Sequence, residues 1–212
     1  MYTRISDGQT ALHAAVFNKH TDVIKKLTDL KPELVSKADN LGRTPLHVAA
    51  LITPFKEMVI LPFDPWRYAK HAKKNMHITS MLLEKDTPGD SSCDKLDNEN
   101  QTPLQIAVKE GNAEVVKLIL ARRRDCIEQI DNEGRNVVQL AVIINAELIF
   151  ERNSGAMIPM LHFLIRATKR LINDCDNEGK TALDIAIENI DKDEPLFCSI
   201  IKVLEANGAV RN

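Results

Sequence analysis

The chain has 212 residues with 28 Lys and Arg against 30 Asp and Glu, a formal net charge of -2, which excludes the strongly basic footprint of a nucleic-acid binder. Its apolar runs, Met58 to Phe63 and Val137 to Ile144 among them, break off well before the roughly 18 residues a membrane helix needs. No apolar stretch with a small-residue cleavage site follows Met1-Tyr2-Thr3-Arg4, so secretion is not expected and the expected location is cytoplasmic. The apolar residues come in short, evenly spaced runs, the pattern of a core built by stacking.

In chain order one phrase returns. It is Ser6-Asp7-Gly8-Gln9-Thr10-Ala11-Leu12-His13, then Asp39-Asn40-Leu41-Gly42-Arg43-Thr44-Pro45-Leu46-His47, then Asp97-Asn98-Glu99-Asn100-Gln101-Thr102-Pro103-Leu104. It comes back as Asp131-Asn132-Glu133-Gly134-Arg135-Asn136-Val137-Val138 and as Asp176-Asn177-Glu178-Gly179-Lys180-Thr181-Ala182-Leu183. Asp-Asn-x-Gly is turn chemistry: Gly accepts a positive φ, and the Asp or Asn side chain bonds nearby backbone. Asn100 in place of Gly is the replacement a left-handed position tolerates best. Thr10, Thr44, Thr102 and Thr181 suit the N-cap of a short apolar helix, with Pro45 and Pro103 pre-set for the first turn. A second helix follows each phrase. Val23-Ile24-x-x-Leu27, Ile78-x-x-Met81-Leu82-Leu83, Val115-Val116-x-Leu118-Ile119-Leu120, Met160-Leu161-x-Phe163-Leu164-Ile165 and Ile200-Ile201-x-Val203-Leu204 each place one apolar stripe on a helix.

The helix openers lie about 34, 58, 34 and 45 residues apart, against about 33 for an ankyrin repeat. The chain resembles the ankyrin-repeat family. That resemblance implies an all-α ankyrin-repeat solenoid of about five helix pairs with short β-hairpin fingers, one domain over residues 1–212. Its units fall near 5–38, 39–96 with an insertion at 54–75, 97–130, 131–175 with a flexible loop at 146–156, and 176–212. Thr10-Ala11-Leu12-His13-Ala14-Ala15-Val16 with Lys31-Pro32-Glu33-Leu34, Asp125-Cys126-Ile127-Glu128-Gln129-Ile130-Asp131, and Met160-Leu161-His162-Phe163 to Leu171-Ile172-Asn173-Asp174-Cys175-Asp176 narrow the likeness. These stretches are similar to plant ankyrin-repeat proteins of the accelerated-cell-death type. That likeness implies a role in defence or stress signalling, and in many relatives a C-terminal membrane segment.

Two surfaces are candidates for a protein partner. The insertion holds Phe63, Trp66, Arg67 and Tyr68, followed by the basic run Lys70 to Lys74; aromatic and Arg side chains supply large contact area with a polar handle. The opposing reading is that they cover the gap the insertion makes, or extend a helix of the repeat. The second surface follows from the resemblance, since ankyrin proteins recognise partners with finger tips and the first helices. It comprises Leu41, Arg43, Glu99, Gln101, Lys109, Glu110, Glu133, Arg135, Glu178 and Lys180. Glu99, Glu133 and Glu178 recur at one finger position and, interleaved with Arg43, Arg135 and Lys180, form an acidic ridge suited to a basic segment.

Catalytic readings are poor. His13 and His47 belong to the repeated phrase, where imidazole bonds backbone between helices, and no triad partner accompanies them. Gln105, Gln139 and Asp184 stand in the same place later, leaving that bonding open there. Cys93, Cys126, Cys175 and Cys198 form no C-x-x-C pair, so neither zinc nor thioredoxin-like chemistry is indicated; Cys198 is expected in the core. No phosphate or dinucleotide loop is present, and no metal or cofactor is expected. Arg122-Arg123-Arg124 either complements a helix C-terminus or touches anions. The expected function is a non-catalytic protein-protein interaction module in intracellular signalling. Its rivals are the cytosolic part of a membrane-associated regulator and weak anion or nucleic-acid binding.

Overall fold

A computed structural model of the chain describes residues 8–52, 65–87, 90–150, 157–189 and 195–212. Chain contacts gather in two units, Met1–Cys126 and Ile127–Asn212.

In the first unit each inner helix, α1 (Ala11–Phe17), α3 (Pro45–Leu51) and α5 (Pro103–Lys109), is seven residues long. Helices this short do not hold alone, so capping and packing decide their fate. Each opens with a reciprocal pair. The Thr10 N–H donates to His13 Nδ1 at 3.1 Å while the His13 N–H donates to Thr10 Oγ1 at 3.4 Å. Thr44 donates likewise to His47 Nδ1 at 3.0 Å, and Thr102 and Gln105 exchange bonds of 2.9 and 3.2 Å. Such a cap contributes about 1 kcal/mol. Leu12, Leu46 and Leu104, two residues past each cap, are fully buried.

The outer helices are α2 (Thr21–Leu30), α4 (Pro65–Lys85) and α6 (Ala113–Arg122). Inner helices pack side by side as α1, α3, α5, and α4 lies between α2 and α6 while touching α3. Ile24, Ile78, Leu82, Val115, Val116 and Ile119 fill the space between the layers with no exposed surface, as their three-and-four spacing predicts.

α4 runs for 21 residues and takes in the end of the expected insertion, so residues 65–75 extend an outer helix. Asn75, 2% exposed, fixes this arm. Its Nδ2 donates to the Ala49 and Ile52 carbonyls at 3.2 and 2.9 Å, and Asn112 Nδ2, from the residue before α6, donates to Ala50 and Ile52 at 3.3 and 3.1 Å. Two side chains thereby satisfy carbonyls that the last turn of α3 leaves without a helical partner. The earlier part of the insertion, including Phe63, lies outside the described residues.

The second unit has inner helices α7 (Val137–Phe150) and α9 (Ala182–Glu188) and outer helices α8 (Met157–Ala167) and α10 (Pro195–Ala206). α7 packs on α8 and α9, and α10 on α9 and α8. Asn136 replaces Thr at the cap: its Oδ1 accepts from the N–H groups of Val138 and Gln139 at 2.9 and 3.1 Å, and its Nδ2 donates to the Leu171 carbonyl at 2.8 Å. Residues 146–150 of the expected loop are helical, the end of α7, and residues 151–156 lie outside the described set. Ile200 and Leu204 face the core, whereas Cys198 is exposed, which corrects its expected burial. Cys198 lies two residues before Ile200 and six before Leu204, about 160° and about 120° away around the helix, so it leaves the stripe that Ile200 and Leu204 share.

No strand occurs among the described residues, and the fingers expected as β-hairpins are tight turns. In each, two backbone bonds close the loop: Asp39 donates to Arg43 O at 2.9 Å, Asp97 to Gln101 O, Asp131 to Arg135 O and Asp176 to Lys180 O at 3.0 Å, and each Asp carbonyl accepts from the N–H three residues on, that of Gly42, Asn100, Gly134 or Gly179. The Asp side chain does the rest. Asp39 Oδ1 accepts from Leu41 and Arg43 N–H, both at 2.9 Å, so the donors that a longer ladder would pair are already taken. Neighbouring fingers then join through an Asn. Asn98 donates its N–H to Leu41 O and its Nδ2 to Asn40 O, both at 2.9 Å. Asn177 does the same to Glu133 O and Asn132 O at 2.9 and 3.0 Å. Gly42 has φ +72°, and a Cβ there would lie 2.8 Å from Asn98 Oδ1, so both its handedness and the close neighbour call for glycine.

Candidate functional site

The finger turn decides which side chains reach solvent. Its first residue points its carboxylate inward at the backbone, its second, as Asn98 and Asn177, bonds the neighbouring finger, and its third is held through its main chain. That third position is Leu41, Glu99, Glu133 and Glu178. Leu41 is 40% exposed, and the three glutamates are 67%, 61% and 73% exposed.

The cations expected among them behave differently. Arg43 lies 3.7 Å from Asp97 and 3.9 Å from Glu99 of the following finger. Gln101 Nε2 donates to Glu99 at 3.3 Å. Arg135 turns onto its own finger, donating to Asp131 Oδ2 at 2.8 and 2.7 Å and to Glu133 at 2.7 Å. Burial opposes both charges of the Arg135–Asp131 pair, and their mutual bonds outweigh it: Asp131 is held below the usual carboxylate range and Arg135 above its ordinary value. Lys180 bridges Glu188 at 2.6 Å and Glu178 at 2.9 Å. The bonds to Glu188 and then Glu178 raise its pKa. In each unit the finger carboxylates therefore have neighbouring cations that are largely engaged.

Within the second unit a cavity of about 400 Å³ is lined by Ile143 of α7, Ile185 and Glu188 of α9, Asn189, and the finger residues Asn132, Glu133, Arg135, Asp176, Asn177, Glu178 and Lys180. The structure thus brings Glu133, Arg135, Glu178 and Lys180 to one groove. Glu188 and Ile143 were not read from the sequence. Each stands seven residues past its cap, the place Lys109 occupies in α5, so counting from the cap would have found them. Lys109 and Glu110 are half-buried at the end of α5. Trp66, Arg67 and Tyr68 fall on the first turn of α4, and their side chains lie outside the described set.

His13 and His47 are fully buried. His47 Nε2 donates to Gln101 O at 3.1 Å and His13 Nε2 to Arg43 O at 2.7 Å; since a carbonyl only accepts, Nδ1 is the acceptor for the cap and the ring is neutral. Burial lowers the pKa of both, that of His47 to about 4. Gln139 reproduces the arrangement, accepting from Asn136 N–H at 2.8 Å and donating to Lys180 O at 2.8 Å. Asp184 inverts it. Its carboxylate accepts from Thr181 N–H at 3.1 Å, Asn212 N–H at 3.1 Å and Arg211 Nε at 3.2 Å. The cap bond is thus kept at Gln105, Gln139 and Asp184, while donation to the following finger's carbonyl is kept by Gln139 and replaced at Asp184 by acceptance from Arg211 and Asn212.

Arg123 is tied to Asp94 and Asp125, each at 2.8 Å, and Arg122 lies 3.8 Å from Glu84. Cys93 and Cys126 are buried, and Cys175 is exposed. The hydrogen bond with Cys93, then burial, drives the Cys126 pKa upward, which disfavours a reactive thiolate. Among the described residues no group of three or more His, Cys, Asp or Glu could hold a metal ion, and no helix is long and apolar enough to cross a membrane.

A family model described as "Ankyrin repeats (3 copies)" matches residues 2–59 and 68–152, more than half of the chain. The chain belongs to the ankyrin-repeat family. It is 26% identical to the B-cell lymphoma 3 protein homolog of Mus musculus over 84% of this chain and 48% of that protein. It is also 26% identical to a transient receptor potential cation channel subfamily A member 1 homolog of Caenorhabditis elegans, over 88% of this chain and 12% of that protein. A third relative is the nuclear factor NF-kappa-B p105 subunit of Gallus gallus, 21% identical over 86% of this chain and 16% of that protein. The ankyrin chain therefore spans about half the length of the first relative and less of the others. The crystal structure of EF0377, an ankyrin repeat protein, superposes with a TM-score of 0.68 at 21% identity, covering 97% of this chain and 85% of that one. That likeness speaks to fold. The three relatives named from Mus musculus, Caenorhabditis elegans and Gallus gallus are animal proteins, and the likeness to plant accelerated-cell-death-type proteins rests on the quoted phrases alone.

Proposed function

We propose that this chain is a non-catalytic protein-protein interaction module, one ankyrin domain of five finger and helix-pair units over residues 1–212. One observation carries the reading: Glu99, Glu133 and Glu178 recur at the same finger position and are 67%, 61% and 73% exposed. The rest of each phrase is spent on caps, turns and finger-to-finger bonds. Equivalent, solvated charges at finger tips, each held by its own turn, are suited to steering and orienting a partner. The setting we propose is intracellular signalling, in plant defence or stress, on the strength of the phrases Thr10 to Val16, Asp125 to Asp131 and Met160 to Asp176. The segment with Phe63, Trp66, Arg67 and Tyr68 is a second proposed surface.

A second reading treats the repeats as one part of a larger, membrane-associated regulator. It is favoured by the small share of the cation-channel homolog that the chain matches, 12%.

The test is affinity capture with the full chain, compared with a Glu99→Lys/Glu133→Lys/Glu178→Lys variant and a Trp66→Ala/Tyr68→Ala variant of unchanged circular dichroism. Specific protein partners lost in the first variant support the fingers, and partners lost only in the second move the surface to α4. A chain that captures no protein at any salt concentration refutes the module reading.

A further inference from the structure

The groove of the second unit has a sign as well as a shape. Four carboxylates line it, those of Glu133, Asp176, Glu178 and Glu188, against two cations, Arg135 and Lys180. Both cations are engaged. Arg135 donates to Asp131 and Glu133, and Lys180 is held at 2.6 and 2.9 Å between Glu188 and Glu178. An anionic ligand would have to break these pairs before meeting a positive charge. A cationic ligand meets the reverse situation. Glu133, Glu178 and Glu188 are 61%, 73% and 52% exposed, and the ion pairs described use one oxygen of each. Asp176 spends Oδ1 on the N–H groups of Glu178 and Lys180, both at 2.9 Å.

Apolar surface lies beside that charge. Ile143 and Ile185 belong to the same lining, and the cavity of about 400 Å³ falls in the range of sites that take a few side chains. A long basic side chain has this composition, a methylene stem that lies on apolar surface and a charged head that stays solvated.

We propose that this groove binds a basic segment of a partner protein, with a Lys or Arg side chain beside an aliphatic one. The proposal rests on the reading of the chain as an interaction module and names the chemistry of its partner. Because the carboxylates are solvated, their main effects are on association rate and salt dependence.

The experiment uses the full chain and a random dodecapeptide display library, followed by anisotropy titration of the best synthetic peptide at 50 and 300 mM salt. Enriched peptides are expected to carry Lys or Arg within two residues of Ile, Leu or Val. Their Kd is expected to rise at least tenfold in a Glu133→Lys/Glu178→Lys/Glu188→Lys variant of unchanged circular dichroism, and severalfold at the higher salt. Lys180→Met, which releases Glu178 and Glu188, is expected to tighten binding severalfold, an effect that a purely structural Lys180 would not produce. Enrichment of acidic or neutral peptides, no enrichment, or basic peptides that bind the triple variant unchanged overturns the proposal. If protein partners are still captured by the unaltered chain in those cases, the module reading stands and the groove's chemistry alone is wrong.

Discussion

Replacing His47 with Gln should remove a defined part of the acid sensitivity of the first unit while leaving its stability near neutral pH almost unchanged. His47 is buried and neutral, with a pKa of about 4 against 6.5 for an unburied imidazole. Burial is the main cause, and the Thr44 N–H directed at Nδ1 reinforces it, because a proton on Nδ1 would displace that donor. Between the two values the unfolded chain binds the extra proton. The stabilisation is complete above about pH 6.5 and is lost as pH falls toward 4. At 1.36 kcal/mol per unit the full loss is about 3 kcal/mol, of which about 2 kcal/mol falls between pH 7.5 and 5.0. Gln is the test residue because Gln105 and Gln139 fill the same place and keep the cap at 2.9 and 2.8 Å without titrating. Urea unfolding of the full chain at both pH values, followed by the fluorescence of the single Trp66 in the first unit, reads the difference. His13, also lowered by burial, supplies a residual slope in the same direction. A His47→Gln chain that loses as much stability on acidification as the parent would refute the reasoning.

Leu46→Ala removes a fully buried side chain and should cost about 2–5 kcal/mol, read as a lower urea midpoint of the first unit. Gly42→Ala, at φ +72° with Asn98 Oδ1 2.8 Å from the new carbon, should cost about 1–3 kcal/mol by the same assay. Asn100→Gly, at φ 57°, should lie within about 0.5 kcal/mol of the parent, since glycine relieves the left-handed strain at the expense of entropy. Asn75→Ala leaves the Ala49 carbonyl without its donor and weakens the hold on Ile52. It should cost about 1–3 kcal/mol and speed amide hydrogen exchange in α4 more than in α6.

Where the sequence was legible, the physics was local. Asp-Asn-x-Gly followed by Thr fixes a turn and a cap within nine residues, and those features stand as read, with Asn100 adopting the expected left-handed backbone. No strand forms among the described fingers because the side chains of Asp39, Asp97, Asp131 and Asp176 take two N–H groups of each turn, leaving only the two backbone bonds that close the loop. The extent of α4 was hidden by polarity: Arg67 to Lys74 breaks the apolar period, so the helix was read from Ile78, although Asp64-Pro65 is a usable start signal. Gln139 aligns with His47 in the phrase, but that it keeps the bonding shows only in three dimensions, where an amide oxygen and N–H stand at the places of Nδ1 and Nε2–H. The groove was half legible. Its finger residues repeat in sequence, but Lys180 meets Glu188 across the length of α9, and nothing in the phrase itself announces that pairing.

Leu41, Glu99, Glu133 and Glu178 each join their turn through a main-chain N–H given to the preceding Asp, at 2.9, 2.9, 3.1 and 2.9 Å. Every amino acid except proline owns that group. The tip is thus a socket that takes interchangeable letters: its spelling can drift, or be rewritten by an engineer, at almost no cost to folding. Affinity for a new ligand can be gained at those places without first restoring stability elsewhere.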